Sequence, residues 1–304
     1  DAGKNIDDNI DSKTNIPIIS LYGSHKKPTQ TDLKNIDILL FDLQDVGTRF
    51  YTYISTLTYV MEACAENNIP IIVLDCPNPN AYFIDGPVLE KEHMSFVGLH
   101  TVPVVYGMTI GEYALMVAGE NWISNSDEIN LKVITLSKWD HNTIVKLKYK
   151  PSPNLPNWQS VYLYPSLCFF EGTIMSVGRG TDYPFQIFGH PKFMIGSYTF
   201  TPKSTQGASN PKYNNQICFG TNLTTTADYY NSLPQQLNLF WLINAYKVMN
   251  DSAGFFNNYF VKLAGTNQLE RQIKDGLTEN EIRESWQPKL NKFKKIRSKY
   301  LLYN

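Results

Sequence analysis

The chain has 304 residues, 42% hydrophobic and 18% charged, which provides for a packed core and excludes a disordered chain. Lysine and arginine number 27 against 28 aspartates and glutamates, so the cation surplus that a nucleic-acid binder needs is missing. No apolar run approaches the ~18 residues of a membrane helix, and the sequence reads as a soluble globular protein of one large domain or two ordinary ones.

In the first half, short β-branched runs alternate with helical patterns. The runs are residues 16–21 (IPIISL), 36–42 (IDILLFD), 69–75 (IPIIVLD), 102–106 (VPVVY) and 131–136 (LKVITL). They lack strict alternation, as parallel strands covered on both faces do. Over residues 50–67, Phe50, Ile54, Leu57, Met61, Cys64 and Ala65 keep one face at helical spacing. Thr109 and Glu112 form a capping box that opens a helix through Val117, each side chain satisfying an orphan amide. The order β-α-β-β-α-β predicts an open, mostly parallel α/β sheet with right-handed crossovers and helices on both faces.

After Pro191 the texture changes. Residues 196–230 are rich in Thr, Ser, Asn and Gly, and beyond Ser232 the pattern is helical over 237–249 and 255–263, ending at Gly265. A second capping box, Thr278 with Glu281, opens a long final helix. These features predict a smaller α+β domain over 192–304 behind an α/β domain over 1–191. The basic residues Lys289, Lys292, Lys294, Lys295, Arg297 and Lys299 read as a solvated face near the last helix's C-terminal dipole end. Cys64, Cys76, Cys168 and Cys218 show no C-x-x-C pair and no matching histidine spacing. They read as four buried thiols, and no metal or cofactor is predicted.

Ligands of open α/β sheets bind beyond the carboxyl ends of the strands. Three polar clusters fall there by sequence: Asp42, Gln44, Asp45, Arg49, Tyr51 and Tyr53; then Asp75, Asn78 and Asn80 with Asp85; then Tyr164, Glu171, Arg179, Asp182 and Tyr183, closed by His190. Any single aspartate reads equally well as a turn former or a helix-dipole partner. Glu171 lies between Cys168-Phe-Phe170 and Gly172, an apolar frame of the kind that raises a carboxyl toward general-acid duty. Only Arg49 and Arg179 of the five arginines precede residue 200, both in glycine-flanked loops suited to gripping a carboxylate or phosphate. No phosphate loop, serine elbow, zinc helix or dinucleotide fingerprint is present.

FDLQDVGTRFYTYISTLTYVMEACAENN, VLDCPNPN with DGPVLE, SFVGLHTVPVVYGMTIGE, PSPNLPNWQSVYLYPSLCFFEGTIMSVGRGTDYPFQIFGHP and the closing RESWQPKLNKFKKIRSKYLLY resemble the NamZ-like family nearly end to end. This was long a domain of unknown function and now includes bacterial exo-β-N-acetylmuramidases. The resemblance implies a Rossmann-like α/β domain with a C-terminal auxiliary domain. It also implies release of terminal, non-reducing N-acetylmuramic acid from peptidoglycan fragments, in the periplasm or outside the cell.

The sequence departs from the family at Cys76, where an arginine is common. It also begins after a Pro-Glu-His-Gly segment whose glutamate is a catalytic candidate, so the Rossmann-like part is expected to lack its first strands. On this reading Arg49 or Arg179 meets the lactyl carboxylate, Tyr51 and Tyr164 cover the ring, and Asp42, Gln44, Asp45, Asn78, Asp182 and His190 serve as further binding residues. Glu171 and then Asp75 are the candidate acid/base residues, the second carboxyl group being replaceable by the substrate's own acetamido group. A non-catalytic glycan-binding protein, and an esterase or amidase acting on the lactyl-peptide part, are the alternatives.

Overall fold

In the computed structural model the described residues are 7–228, 235–249 and 254–303; the opening Asp1-Ala-Gly3, on which the expected truncation turns, lies outside them. The first elements are two-residue strands, β1 (Asn9–Ile10) and β2 (Pro17–Ile18), paired antiparallel and exposed. The run 16–21 therefore does not join the parallel sheet. That sheet consists of β3 (Leu39–Phe41), β4 (Ile71–Leu74) and β5 (Leu131–Ile134), in that order and all parallel. Helix α1 (Tyr53–Glu66) connects β3 to β4, and α2 (Ile110–Gly119) lies between β4 and β5.

The register aligns Phe41, Val73 and Val133 on one face and Leu40, Ile72 and Lys132 on the other. Phe41, Ile71 and Val73 are buried with Leu57 and Met61 of α1 and Tyr113, Met116 and Val117 of α2. Each such side chain contributes about 1.5–3 kcal/mol through burial. Leu40 at 60% and Ile134 at 43% exposure mark the opposite face, so the described residues show helical cover on one side. The run 102–106 is fully buried yet forms no strand. Pro103 lacks a ladder donor, and the segment instead crosses the loops, Val105 bridging Thr48 and Asp85.

The second half begins with α3 (Trp158–Leu167), whose N-cap Asn157 exchanges bonds with Ser160, and a tight 3-10 turn over Cys168–Gly172. Strands β6 (Ile187–His190), β7 (Tyr198–Phe200) and β8 (Cys218–Asn222) form an antiparallel sheet in the order β6-β8-β7. Helices α4 (Thr224–Asp228), α5 (Phe240–Met249), α6 (Asn258–Ala264), α7 (Gln268–Lys274) and α8 (Glu279–Arg297) complete it. Both predicted capping boxes are closed by reciprocal bonds, and α6 stops at Gly265 with φ +72°.

The two halves share a core. Val46, Phe50 and Val104 pack in one cluster with Phe169, Phe170, Leu242, Phe260 and Trp286. Helix α8 buries Ile282, Trp286, Leu290 and Phe293 along one stripe. The basic residues on it and just past its end do more than face solvent: Lys289 pairs with Glu90, Lys299 beyond the C-cap with Glu120, and Arg297 donates to the Gly107 carbonyl. All four cysteines are free thiols, three of them buried.

Candidate active site

A cavity of about 910 Å³ opens where the α1 N-terminus, the Cys168–Gly172 turn and the α6 N-terminus converge. That volume lies at the upper end of the range for small-molecule sites. Its walls include Phe50, Tyr51, Tyr53, Phe96, Tyr164, Phe185 and Tyr259. Among the described residues lining it, the charged groups are Lys26, Glu171 and Arg179. Aromatic faces with a few charges suit a sugar ring, whose C–H faces are apolar and whose rim is polar.

Local sequence sets the Glu171–Arg179 geometry. Gly172 packs so closely on α6 that a Cβ would lie 2.4 Å from the Phe260 Cα, and this closeness seats the turn carrying Glu171. Gly178 (φ +76°) and Gly180 (φ +79°) bend the chain back on either side of Arg179, a backbone that other residues adopt only under strain. The guanidinium then grips the carboxylate side-on, with Nε to Oε1 and Nη2 to Oε2 both at 2.7 Å. The Glu171 carboxylate raises the Arg179 pKa against the lowering by burial, and the Phe185 ring lies 5.0 Å below the guanidinium.

Lys212 completes the arrangement and was not visible as a candidate in the sequence. Its ammonium donates into the carbonyls of Phe170, Glu171, Thr173 and Met175 at 2.6–3.2 Å, clamping the turn from behind. Burial pulls it down to about 8. Glu171 is thus no isolated carboxyl in an apolar frame. Both its oxygens accept from Arg179, so in this arrangement it is an oriented acceptor and not a proton donor.

Tyr51 and Tyr164 line the same cavity, Tyr51 with its hydroxyl donated to the Pro151 carbonyl at 2.6 Å. The remaining predicted site residues lie elsewhere. Arg49 is fully buried, with Nη1 on the Pro87 and Val102 carbonyls and Nη2 on those of Leu263 and Ala264, all at 2.8–2.9 Å. It cannot read a substrate, because it is a bolt between the two halves. Asp182 is exposed and does not line the cavity, nor does His190, whose Nδ1 accepts from the Lys192 amide.

Asp42, Gln44, Asp45, Asp75 and Asn78 gather at the carboxyl end of the parallel sheet, as the topology predicted, but none lines the cavity. Asp75 is saturated: Thr109 Oγ1, the Gly111 and Cys76 amides and Tyr303 Oη donate to it at 2.5–3.0 Å. Burial raises its pKa. This carboxylate anchors α2 and the C-terminal tail, which removes it from the acid/base candidates. Gln44 donates to the Asp45 and Pro77 carbonyls, and Asn78 to that of Met108, so both brace loops. Asp45 accepts from the Gly47 amide and Tyr106 Oη, keeps Oδ1 unpartnered, and is pushed up to about 6 by burial. Asp42 is exposed.

Comparison with known proteins gives this geometry a family. The N-terminal model of exo-beta-N-acetylmuramidase NamZ matches residues 1–159 and the C-terminal model residues 162–303. The chain belongs to the NamZ family. The peptidoglycan beta-N-acetylmuramidase NamZ of Bacillus subtilis is 38% identical, over 99% of this chain and 76% of the relative. A crystal structure of a DUF1343 family protein from Bacteroides fragilis superposes with a TM-score of 0.92 at 45% identity, covering 97% of this chain and 82% of that one. A second DUF1343 structure from the same organism reaches 0.81 at 28% identity with the same coverage. The NamZ models thus span both halves that contribute to the cavity.

Proposed function

We propose that this chain is a glycosidase that releases terminal N-acetylmuramic acid from peptidoglycan fragments, using the aromatic cavity around Glu171 and Arg179. The observation that carries the reading is the 38% identity, over nearly the whole chain, to a protein named peptidoglycan beta-N-acetylmuramidase. The cavity agrees in kind, with aromatic walls for a pyranose and one oriented carboxylate. Peptidoglycan lies outside the cytoplasm, so on this reading the protein works in the periplasm or is secreted.

Among the described lining residues Glu171 is the one carboxylate, which favours substrate assistance over a symmetric carboxyl pair. The acetamido oxygen at C2 attacks C1 as the glycosidic C–O bond breaks, the leaving oxygen takes a proton from a water molecule, and the hydroxide so formed adds to C1, opening the ring and restoring the acetamido group. Glu171, fixed by Arg179 and Lys212, accepts the acetamido N–H and stabilises the positive charge that develops there. No Ser–His pair lines the cavity among the described residues, which disfavours the esterase and amidase alternatives.

The test is incubation with the β-1,4-linked disaccharide of N-acetylmuramic acid on N-acetylglucosamine, with products identified by mass. Free N-acetylmuramic acid plus N-acetylglucosamine is expected. Intact disaccharide bound without turnover would make the protein a glycan-binding module instead.

A further inference from the structure

N-acetylmuramic acid differs from N-acetylglucosamine by a lactyl ether that ends in a carboxylate, so a selective site needs a cation to meet it. The two arginines nearest in sequence are engaged. Arg49 is buried under four carbonyls, and the Arg179 charge is matched by Glu171. The Nε and Nη2 donors of Arg179 are both taken by Glu171, so its side-on two-point face is closed to an incoming carboxylate.

We propose that Lys26 is the residue that reads the lactyl carboxylate, an inference that rests on the glycosidase reading above. Lys26 lines the same cavity, with Nζ 4.4 Å from the centroid of the Phe96 ring, another lining residue. Phe96 is itself stacked on Tyr59 of α1, with centroids 6.0 Å apart. The ring thus holds the ammonium over a rigid platform without neutralising its charge.

Its neighbour shows the contrast. Lys27 is spent on Glu62 and Glu66, both at 2.8 Å, whereas among the described residues no carboxylate lies within ion-pair reach of Lys26. Lys26 is therefore the lining cation whose charge is uncompensated. An ammonium presents three rotatable donors, which suits a carboxylate on a flexible lactyl arm better than a fixed fork would.

The experiment compares wild type with Lys26→Met and Lys26→Arg. The readout is the ratio of kcat/KM for a terminal β-linked N-acetylmuramic acid over terminal N-acetylglucosamine, with melting temperatures as the folding control. Loss of one charge-assisted contact predicts that Lys26→Met lowers this preference about tenfold, mainly through KM, while Lys26→Arg keeps most of it. Raising salt should erode the preference of wild type and leave that of Lys26→Met flat. An unchanged preference in a normally melting Lys26→Met overturns the proposal. If wild type itself releases no N-acetylmuramic acid, the glycosidase reading fails. Binding of the two free sugars to wild type and Lys26→Met then decides the role of Lys26 by itself: a preference for N-acetylmuramic acid that the variant lacks upholds it, and equal selectivity refutes it.

Discussion

Replacing Arg49 by Met should unfold the protein early without touching substrate choice. The guanidinium donates to four buried carbonyls, two from the first half (Pro87, Val102) and two from the C-terminal end of α6 (Leu263, Ala264). Methionine fills the aliphatic stem but offers no donor. The Val102 carbonyl keeps a second partner in the Leu89 amide, so three acceptors are stranded. At about 1–3 kcal/mol for each stranded group, partly offset by no longer burying a cation that burial already pulls down to about 9, the net loss is about 3–5 kcal/mol. That is a large share of the roughly 5–15 kcal/mol that holds a domain together. Melting followed by circular dichroism should fall by ~5–8 °C, and the urea midpoint should fall with it. Arg49→Lys, with three donors, should lie between. A Met variant melting within ~2 °C of wild type would refute the reasoning. So would a normally folded Lys variant that has lost its preference for N-acetylmuramic acid.

Other consequences are open to measurement. Glu171→Gln should lower kcat by ~10² or more, because the amide cannot carry the charge that faces the developing cation, and should lower the melting temperature somewhat, because one Arg179 N–H loses its acceptor; an unchanged rate would leave Glu171 a purely structural acceptor. Asp45 holds its proton up to about pH 6 in the folded state against 3.8 unfolded, so its contribution is complete below pH 3.8 and is lost as pH rises through 6. Asp45→Asn should therefore gain on wild type between pH 4 and 7, by on the order of 3 kcal/mol, read from urea midpoints at the two pH values. His100, buried against Trp122 and lowered to about 4, acts in the opposite sense: its contribution is present above pH 6.5 and is lost as pH falls through 4. His100→Gln should flatten the acid limb of the stability profile, and an unaltered limb would show that other groups set it.

What the sequence made legible was local. The capping boxes at Thr109 and Thr278 depend on residues three apart, and both close as read. The α/β class, the parallel order and the gathering of Asp42, Asp45 and Asp75 at one sheet end follow from runs and connections. Two apolar runs misled: residues 16–21 pair with the short strand Asn9–Ile10, outside the parallel sheet, and Pro103 denies the buried run 102–106 a ladder donor. Glu171 and Arg179 were each conspicuous, but their union depends on the turns at Gly178 and Gly180, which no spacing rule encodes. Arg49 resembled a ligand fork because arginine is scarce ahead of residue 200. Its acceptors lie 38 to 215 positions away, and only the tertiary fold reveals them. Lys26 and Lys212 were hidden among many lysines, because a cage of carbonyls or a ring beneath an ammonium leaves no pattern in the chain.

The claim that unites these points is that the cavity holding Glu171 and Arg179 is the muramic acid site. A crystal structure of the protein soaked with N-acetylmuramic acid tests it most directly. The account predicts density for one pyranose against Tyr51, Tyr164 and Tyr259, with the acetamido group within hydrogen-bond distance of Glu171 and the lactyl carboxylate toward Lys26. Density at the carboxyl end of the parallel sheet, beside Asp42 and Asp45, with this cavity left to solvent, would contradict it.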